Sequence, residues 1–501
     1  MKKLSVKNAL SECRKPEITD RCLFFQHRRK EERKMKNKKN SLFQGKAMHP
    51  FIPLLFMVIL CTIVSYFVAP GAYDRETVNG VTRVIADSYH AVERTPVSLF
   101  QMFQSVPEGL TATANMMFCI MLIAGVVEIY KYTDVVGALI NSVLKASKKY
   151  NSLVIIGIVM VVFFIFGGIL GWSEHIIPFV PIIISLAISL GYDALVGMAI
   201  SGFACLIAFA SAPFNMYTVG TSHTIAELPM FSGWELRIIS LFFICLLALV
   251  WTLRYAKKIK NNPELSLCKD IDNASLIIPV DSNVEYTMPR KISTLVLVVS
   301  IVINVFGILK WGWGYTHMAT SFMIGGVIVA LLNKVSLEKA IDLIVDGCKG
   351  AFVGAAIIGV ARAVQWTMST GGLIDPLVNA LSNLMQGAST YVSTLGMFFA
   401  NFFINALIPS GSGQATAVMP IMVPLADMLG ITRQTAVLAF QYGDGISNTF
   451  WFTNGTLLIY LGLAKVPLQK WYKFILPLHG LYFILEFVFL FIAVQTGYGP
   501  F

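Results

Sequence analysis

Two carboxylates, Glu174 and Asp444, stand inside interrupted apolar segments of this 501-residue chain, and two short runs of small and polar residues break its apolar stretches. The first run is Gly171-Trp-Ser-Glu-His175, which offers Ser173, Glu174 and His175. The second is Ser410-Gly-Ser-Gly-Gln414, which offers Ser410, Ser412 and Gln414. A carboxylate at mid-membrane costs roughly 2.5–3.5 kcal/mol on insertion scales, so its presence points to a cationic partner, either an ion or a charged group of a ligand. Where an apolar helix is interrupted, its N–H end favours a carboxylate and its carbonyl end favours a cation such as sodium. Asp444, Ser447 and Asn448 fall at i, i+3 and i+4, so a helix presents them on one face; a seam that only joins helices uses the same residue types. Asn215 closes another polar run, Ser211-Ala-Pro-Phe-Asn215, and Thr453 follows shortly after Asn448. Between Asn151 and Leu236 there is no Lys or Arg, and between Gly413 and Leu463 only Arg433. A doubly negative solute would depend on helix ends and co-bound cations, so a solute carrying a positive group fits better. His175 either couples protons near neutral pH or lines the cavity as a hydrogen-bonded residue. Arg362 either pairs with an acid of the scaffold or meets a substrate carboxylate.

Membrane-embedded elements must hold these groups. Apolar residues make up 56% of the chain and charged residues 13%, whereas a soluble chain carries about 25% charged residues. The eleven residues Pro181–Gly191 return at Pro420–Gly430 with six identities at a constant offset of 239, and the polar runs precede both copies in the same register. A duplicated and interrupted apolar segment is a sequence pointer to a transport site. Apolar windows predict crossings at Phe51–Ala69, Ala112–Tyr130, Leu236–Trp251, Ile292–Leu309, Met318–Leu332, Ile344–Met368 and Phe474–Val494. Ser152–Leu190 and Tyr391–Val423 read as re-entrant hairpins in preference to pairs of full spans. Two further crossings read as broken, one at Ser211–Asn215 and one running from Arg433 through Asp444–Asn448 toward Lys465. Unpaired backbone in lipid must be buried in protein or face a watery cavity, so the four breaks are expected to converge. Five full crossings between the hairpins would turn the two copies upside down relative to one another.

The expected organisation is an all-α polytopic membrane protein, an inverted-repeat helical bundle with two re-entrant hairpins and two broken helices. Its parts are a basic tail (1–47), a first repeat (48–255, hairpin 151–190), a linker (256–290) and a second half (291–501, hairpin 391–423). The net charge of +11 is concentrated at the start, where residues 1–46 hold 15 Lys/Arg against 5 Asp/Glu. Beside a first span, such a tail reads as a cytoplasmic flank and not as a nucleic-acid-binding arm; the basic ends Arg254–Lys260 and Lys465–Lys473 are assigned to the same side. Eight cysteines form no CxxC pair and read as reduced packing residues. The chain has no Walker loop, HExxH or dinucleotide fingerprint, and Ser173, Glu174 and His175 are contiguous instead of forming a positioned triad. A secondary carrier is expected, neither an enzyme nor a metal protein.

Ser410-Gly-Ser-Gly-Gln-Ala415, Met419-Pro420, Arg433-Gln434, Leu438-Ala-Phe-Gln441, Gly443-Asp-Gly445 and Ser447-Asn448, with Gly171, Glu174, Asn215 and Arg254-Tyr-Ala256 in the first half, carry a resemblance. From about residue 48 to its end the chain resembles the YfcC family of basic amino-acid antiporters, kin to the anaerobic four-carbon dicarboxylate carriers of the ion transporter superfamily. The resemblance implies a homodimer in the cytoplasmic membrane, with a fixed scaffold and a moving domain that holds both hairpins, an elevator carrier. It implies exchange of small molecules, arginine against ornithine, with no cofactor beyond a coupling Na+ or H+. The alternative is a sodium- or proton-coupled carrier of four-carbon dicarboxylates or other organic anions. The expected substrate-binding set is Ser173, Glu174, Asn215, Ser410, Ser412, Gln414, Asp444, Ser447, Asn448 and Thr453, with ion coupling at Glu174, His175 or Asp444. The chain departs from the family at His175, where a second acid is usual, at Met216, where proline is usual, and at Phe452-Thr453, where Pro-Thr is usual.

Overall fold

Away from water an apolar segment satisfies its own backbone only by coiling into a helix or closing into a barrel, and helices dominate the architecture here. The computed structural model describes residues 51–78, 81–85, 88–279, 284–385 and 387–499; the expected basic tail lies outside them. In chain order the first half contains α1 (Phe51–Val64), α2 (Leu99–Ala112), α3 (Ala114–Tyr132), α4 (Val135–Ser147), α5 (Ser152–Gly168), α6 (Val180–Ser189), α7 (Ala194–Met198), α8 (Ala204–Phe209), α9 (Thr221–Ala226) and α10 (Trp234–Asn261). The second half contains α11 (Met288–Trp311), α12 (Tyr315–Leu332), α13 (Leu337–Thr370), α14 (Ile374–Met385), α15 (Thr390–Ile404), α16 (Gly411–Met428), α17 (Arg433–Ser447), α18 (Gly455–Leu463) and α19 (Leu468–Gln495). Among the described residues six helices, α3, α10, α11, α12, α13 and α19, are long and apolar enough to cross a membrane.

Three features differ from the sequence expectation. The polar segment after α1 holds two short antiparallel pairs, β1 (Gly71–Ala72) with β4 (His90–Ala91) and β2 (Arg75–Val78) with β3 (Val81–Val84). The second crossing is preceded by a separate helix, α2, which Ser98 caps by accepting from the amide of Gln101 (3.2 Å). The stretch Asp444–Asn448 is not itself the break: α17 runs through Asp444 to Ser447, and the interruption follows at 448–454. The reason is local, since no proline or φ-positive residue stops α17 before Asn448, and Asn454 then restarts the chain as α18 by accepting from the amide of Leu457 (2.9 Å).

Around the duplicated residues the backbone repeats itself bond for bond. In the first copy Tyr192 N–H donates to Ala187 O (3.0 Å) over Gly191 at φ 87°; in the second Ile431 N–H donates to Ala426 O (2.9 Å) over Gly430 at φ 65°. These are helix ends that a glycine in the left-handed region closes. The next residue caps the following helix in each case: Asp193 accepts from the amide of Val196 (2.9 Å), Thr432 from that of Thr435 (3.2 Å). After the next break Asn215 accepts from Tyr217 and Thr218 as Asn454 does from Leu457. All these pairs keep the offset of 239.

Close helix packing fixes the long α13 against α2 and α3. A Cβ on Gly347 would lie 2.5 Å from the Cα of Gly125, and one on Gly109 would lie 2.3 Å from Gly359 O. Small residues permit this approach where lipid supplies no hydrophobic drive between helices. The two halves are also tied by Arg237 of α10, fully buried, which donates to Gln441 Oε1 (2.9 Å) and Gln434 Oε1 (3.1 Å) of α17. Part of the linker is anchored in the same way: Ser266 Oγ and Tyr255 OH both donate to Asp193 Oδ2 (2.6 and 2.7 Å), and Lys470 pairs with Asp270. Under this strap Cys268 is buried, and burial pushes its thiol pKa up to about 12, so it stays protonated at neutral pH.

Candidate functional site

Where the breaks meet there is a cavity of about 380 Å³, lined by Ser173 and Glu174 from the first break and Ser410, Gly411 and Ser412 from the second, with Thr113, Asn115, Tyr217, Tyr315, Arg362 and Thr456 completing the polar part of its wall. The first tip is shaped by Gly171 at φ 65°, where a Cβ would meet Asn215 Cγ at 2.9 Å. Beyond it the chain stays irregular until a short 3-10 turn at Ile177–Phe179. Ser173 Oγ donates to the Glu174 carboxylate, Thr456 Oγ1 donates to Glu174 Oε1 (3.2 Å), and Tyr460 OH donates to Ser173 O. Glu174 is thus oriented by two neutral hydroxyls and remains half-buried beside the cavity.

The second tip has the opposite polarity. Ser410 caps α16, its hydroxyl accepting from Gly413 N–H (3.3 Å), and Ser410, Gly411 and Ser412 line the cavity, so the positive end of an 18-residue helix lies at its wall. The Arg362 guanidinium donates to Gln365 Oε1, and a Cβ on Gly413 would lie 3.0 Å from its Nη1, so the guanidinium abuts the same helix start. Among the described residues no acid pairs with Arg362; a neutral amide takes that place.

The remaining expected residues lie behind the wall. Asp444 is fully buried, neither of its carboxylate oxygens has a hydrogen-bond partner among the described residues, and a Cβ on Gly411 would lie 3.5 Å from its Oδ2. It therefore sits beneath the start of α16, where the helix dipole favours negative charge. Asn405 Nδ2 donates to Asp444 O (2.9 Å), Ser447 Oγ (2.6 Å) and Asn448 Oδ1 (2.9 Å), and Asn454 Nδ2 also donates to Asn448 Oδ1 (2.8 Å). Ser447 and Asn448 are thus occupied in joining the second break to the chain after α17. Gln414 Nε2 donates to Asn401 O and Oδ1 (both 3.0 Å), while its Oε1, Asn215 Nδ2, Thr218 Oγ1 and Thr453 Oγ1 are buried without partners among the described residues. His175, read either as a proton-coupling group or as a hydrogen-bonded lining residue, is buried between the rings of Trp172 (5.6 Å) and Tyr315 (5.1 Å), and its Nδ1 has no partner among the described residues.

The structure therefore brings Ser173, Glu174, Ser410 and Ser412 to one cavity and leaves Asn215, Gln414, Asp444, Ser447, Asn448 and Thr453 buried around it. Sequence reading did not single out Tyr217 or Thr456. A signal existed: the two are 239 residues apart, two positions after the equivalent caps Asn215 and Asn454. Tyr315 and Asn115 carry no such mark.

A family model described as DcuC, C4-dicarboxylate anaerobic carrier, matches residues 49–495. The chain belongs to that family. Within reach of this carrier family, the protein named "Putative basic amino acid antiporter YfcC" from Escherichia coli (strain K12) is 26% identical over 487 residues, covering 89% of this chain and 96% of the relative. An uncharacterised protein of Haemophilus influenzae is 26% identical over 417 residues, covering 82% of this chain and 81% of that protein. Among solved structures, Neisseria gonorrhoeae MtrF, described with a class of antimetabolite efflux pumps, is similar at a TM-score of 0.47 and 16% identity, covering 89% of this chain and 95% of that one. The family match, with the six long apolar helices, places the chain among multi-pass membrane carriers.

Proposed function

We propose that this DcuC-family carrier exchanges basic amino acids, arginine against ornithine, across the cytoplasmic membrane. The carrying observation is that one cavity is lined by an acid held by neutral hydroxyls, Glu174, and by an anion-attracting pole made of Arg362 and the start of α16. A zwitterion with a cationic side chain satisfies both: its carboxylate lies against Ser410–Gly413 and Arg362, and its positive end lies against Glu174. The name of the Escherichia coli relative supports the same substrate class. An odd number of crossings between the two copies of the repeat would invert one half relative to the other, and the resemblance implies an elevator motion of the domain holding both breaks, in a homodimer. Asp444 and Glu174 are the groups available to a coupling Na+ or H+.

A second reading, transport of a four-carbon dicarboxylate, is favoured by the family description and by the Arg362 pole. One experiment separates the two. In proteoliposomes loaded with ornithine, uptake of labelled arginine should exceed uptake into empty vesicles and resist excess succinate. Uptake indifferent to the internal amino acid removes the exchange, and competition by succinate with loss of uptake when sodium is withdrawn favours the dicarboxylate reading.

A further inference from the structure

A second cavity, of about 650 Å³, lies on the other side of the α16 start, beneath the segment that carries Gly71, Ala72 and Arg75. It shares two residues with the first cavity, Arg362 and Ser412. Arg362, Gln365 and Ser369 fall at i, i+3 and i+7 on α13 and line its floor as one stripe. Between the cavities stands a contact of three groups: Arg362 donates to Gln365 Oε1, and the space at Gly413 is closed by both side chains, Gln365 Nε2 at 2.9 Å and Arg362 Nη1 at 3.0 Å from where a Cβ would be. These neighbours are the far ends of flexible side chains, not backbone, so the barrier can move without moving a helix. The roof is held more firmly: Arg75 pairs with Asp375 at 2.6 Å, and Tyr73 N–H donates to the same carboxylate at 3.1 Å.

We propose that the two cavities are one interrupted pathway, that the Arg362–Gln365 pair resting on Gly413 is its closed gate, and that the second cavity is a vestibular subsite for a carboxylate-bearing solute. Arg362 is the group that makes the subsite selective, because it faces both cavities and its partner in the closed state is only a neutral amide. An arriving carboxylate offers the guanidinium two charged acceptors in place of one uncharged oxygen, which draws Arg362 off Gln365. The solute itself thereby opens the barrier. An organic cation without a carboxylate offers Arg362 no acceptor and leaves the barrier shut. The subsite rests on the reading of the first cavity as a solute site; the gate does not depend on which solute is carried.

The test uses the full chain in proteoliposomes oriented with residues 71–91 toward the bath, carrying Ser410→Cys as a reporter in the first cavity. Of the native cysteines, Cys61, Cys119, Cys205 and Cys268 are buried, and intact mass of the peptide containing position 410 isolates the reporter from the rest. An impermeant methanethiosulfonate reagent in the bath reads passage through the gate. Gln365→Ala, which removes the acceptor, should raise the modification rate about tenfold, the scale of one charge-assisted hydrogen bond. Gln365→Glu, which strengthens the pair, should lower it below the Gln365 parent. Equal rates in all three overturn the gate. In the Gln365 parent, added acetate should speed modification relative to chloride at equal ionic strength, and no difference overturns the subsite. Thermal shift with arginine, measured on protein without the reporter, reports separately: its absence with the rate order intact removes the amino-acid reading and leaves the gate standing.

Discussion

The two polar breaks descend from one duplicated unit and do opposite things. From Gly411 onward the second copy is continuous α-helix, whereas in the first the equivalent residues 172–176 stay irregular, 177–179 make a 3-10 turn and α6 begins only at Val180. The side chains explain the difference. Gly411, Ser412 and Gly413 let a helix start at once under the Ser410 cap and approach Thr218 and Arg362 closely. In the first copy Pro178 removes a donor from the turn that would close there, and Trp172 and His175 stack into aromatic neighbours. One copy thus presents helix amides, the other a carboxylate held by hydroxyls. Divergence at a few positions thus gives two matching frames a positive and a negative pole, which is what the proposed exchange of a zwitterion calls for.

Breaking the negative pole should have the largest effect. Glu174→Gln keeps shape and the Thr456 contact but removes the charge, and loss of one partner of a desolvated ion pair costs on the order of 2–5 kcal/mol, so arginine affinity should fall by about 30-fold or more. Isothermal titration of purified protein measures it, and an affinity within a factor of three of the parent would show that Glu174 does not face the cationic end. Next is the positive pole. Ser410→Asp preserves capping, since aspartate caps as well as serine, but sets a negative charge where the solute carboxylate lies. The ligand-free thermal midpoint should hold while arginine affinity drops by about tenfold or more. If the midpoint collapses together with binding, the experiment reports folding, and Ser410→Asn, a neutral cap, then decides: it should restore both.

The comparison also explains what the sequence made legible. Long apolar runs, the 239-residue offset and the polar breaks are one-dimensional signals, because each follows from what a bilayer permits a backbone to do. Glu174, Ser173, Ser410 and Ser412 were legible for the same reason: polar side chains at an interruption have few places to go but a cavity. Asp444 was legible as a buried acid, yet its position behind the wall depends on Gly411 letting α16 lie against α17, a tertiary fact. Tyr315 and Arg362 belong to otherwise ordinary crossings, and only packing through Gly109–Gly359 and Gly125–Gly347 brings α13 to the breaks. The strands at 71–91 were missed because hydropathy is blind to them, although Asn79-Gly80 between Val78 and Val81 is a hairpin signal.

The smallest effect, and the sharpest test of the repeat, concerns the paired caps Asn215 and Asn454. Each accepts backbone amides in its first turn, and loss of such a cap costs about 1 kcal/mol, so both alanine variants should fold with lowered thermal midpoints. Their side-chain amides differ, however. Asn454 Nδ2 donates to Asn448 Oδ1 at 2.8 Å, whereas Asn215 Nδ2 is buried with no partner among the described residues. Truncating Asn454 forfeits a satisfied hydrogen bond, about a further 1 kcal/mol, while truncating Asn215 relieves an unsatisfied donor. Asn454→Ala should therefore destabilise more than Asn215→Ala in thermal unfolding without ligand. If ligand-free Asn215→Ala is the less stable of the two, its amide has a partner in the membrane, and a coordinated solute or water beside Gly171 is the place to look for it.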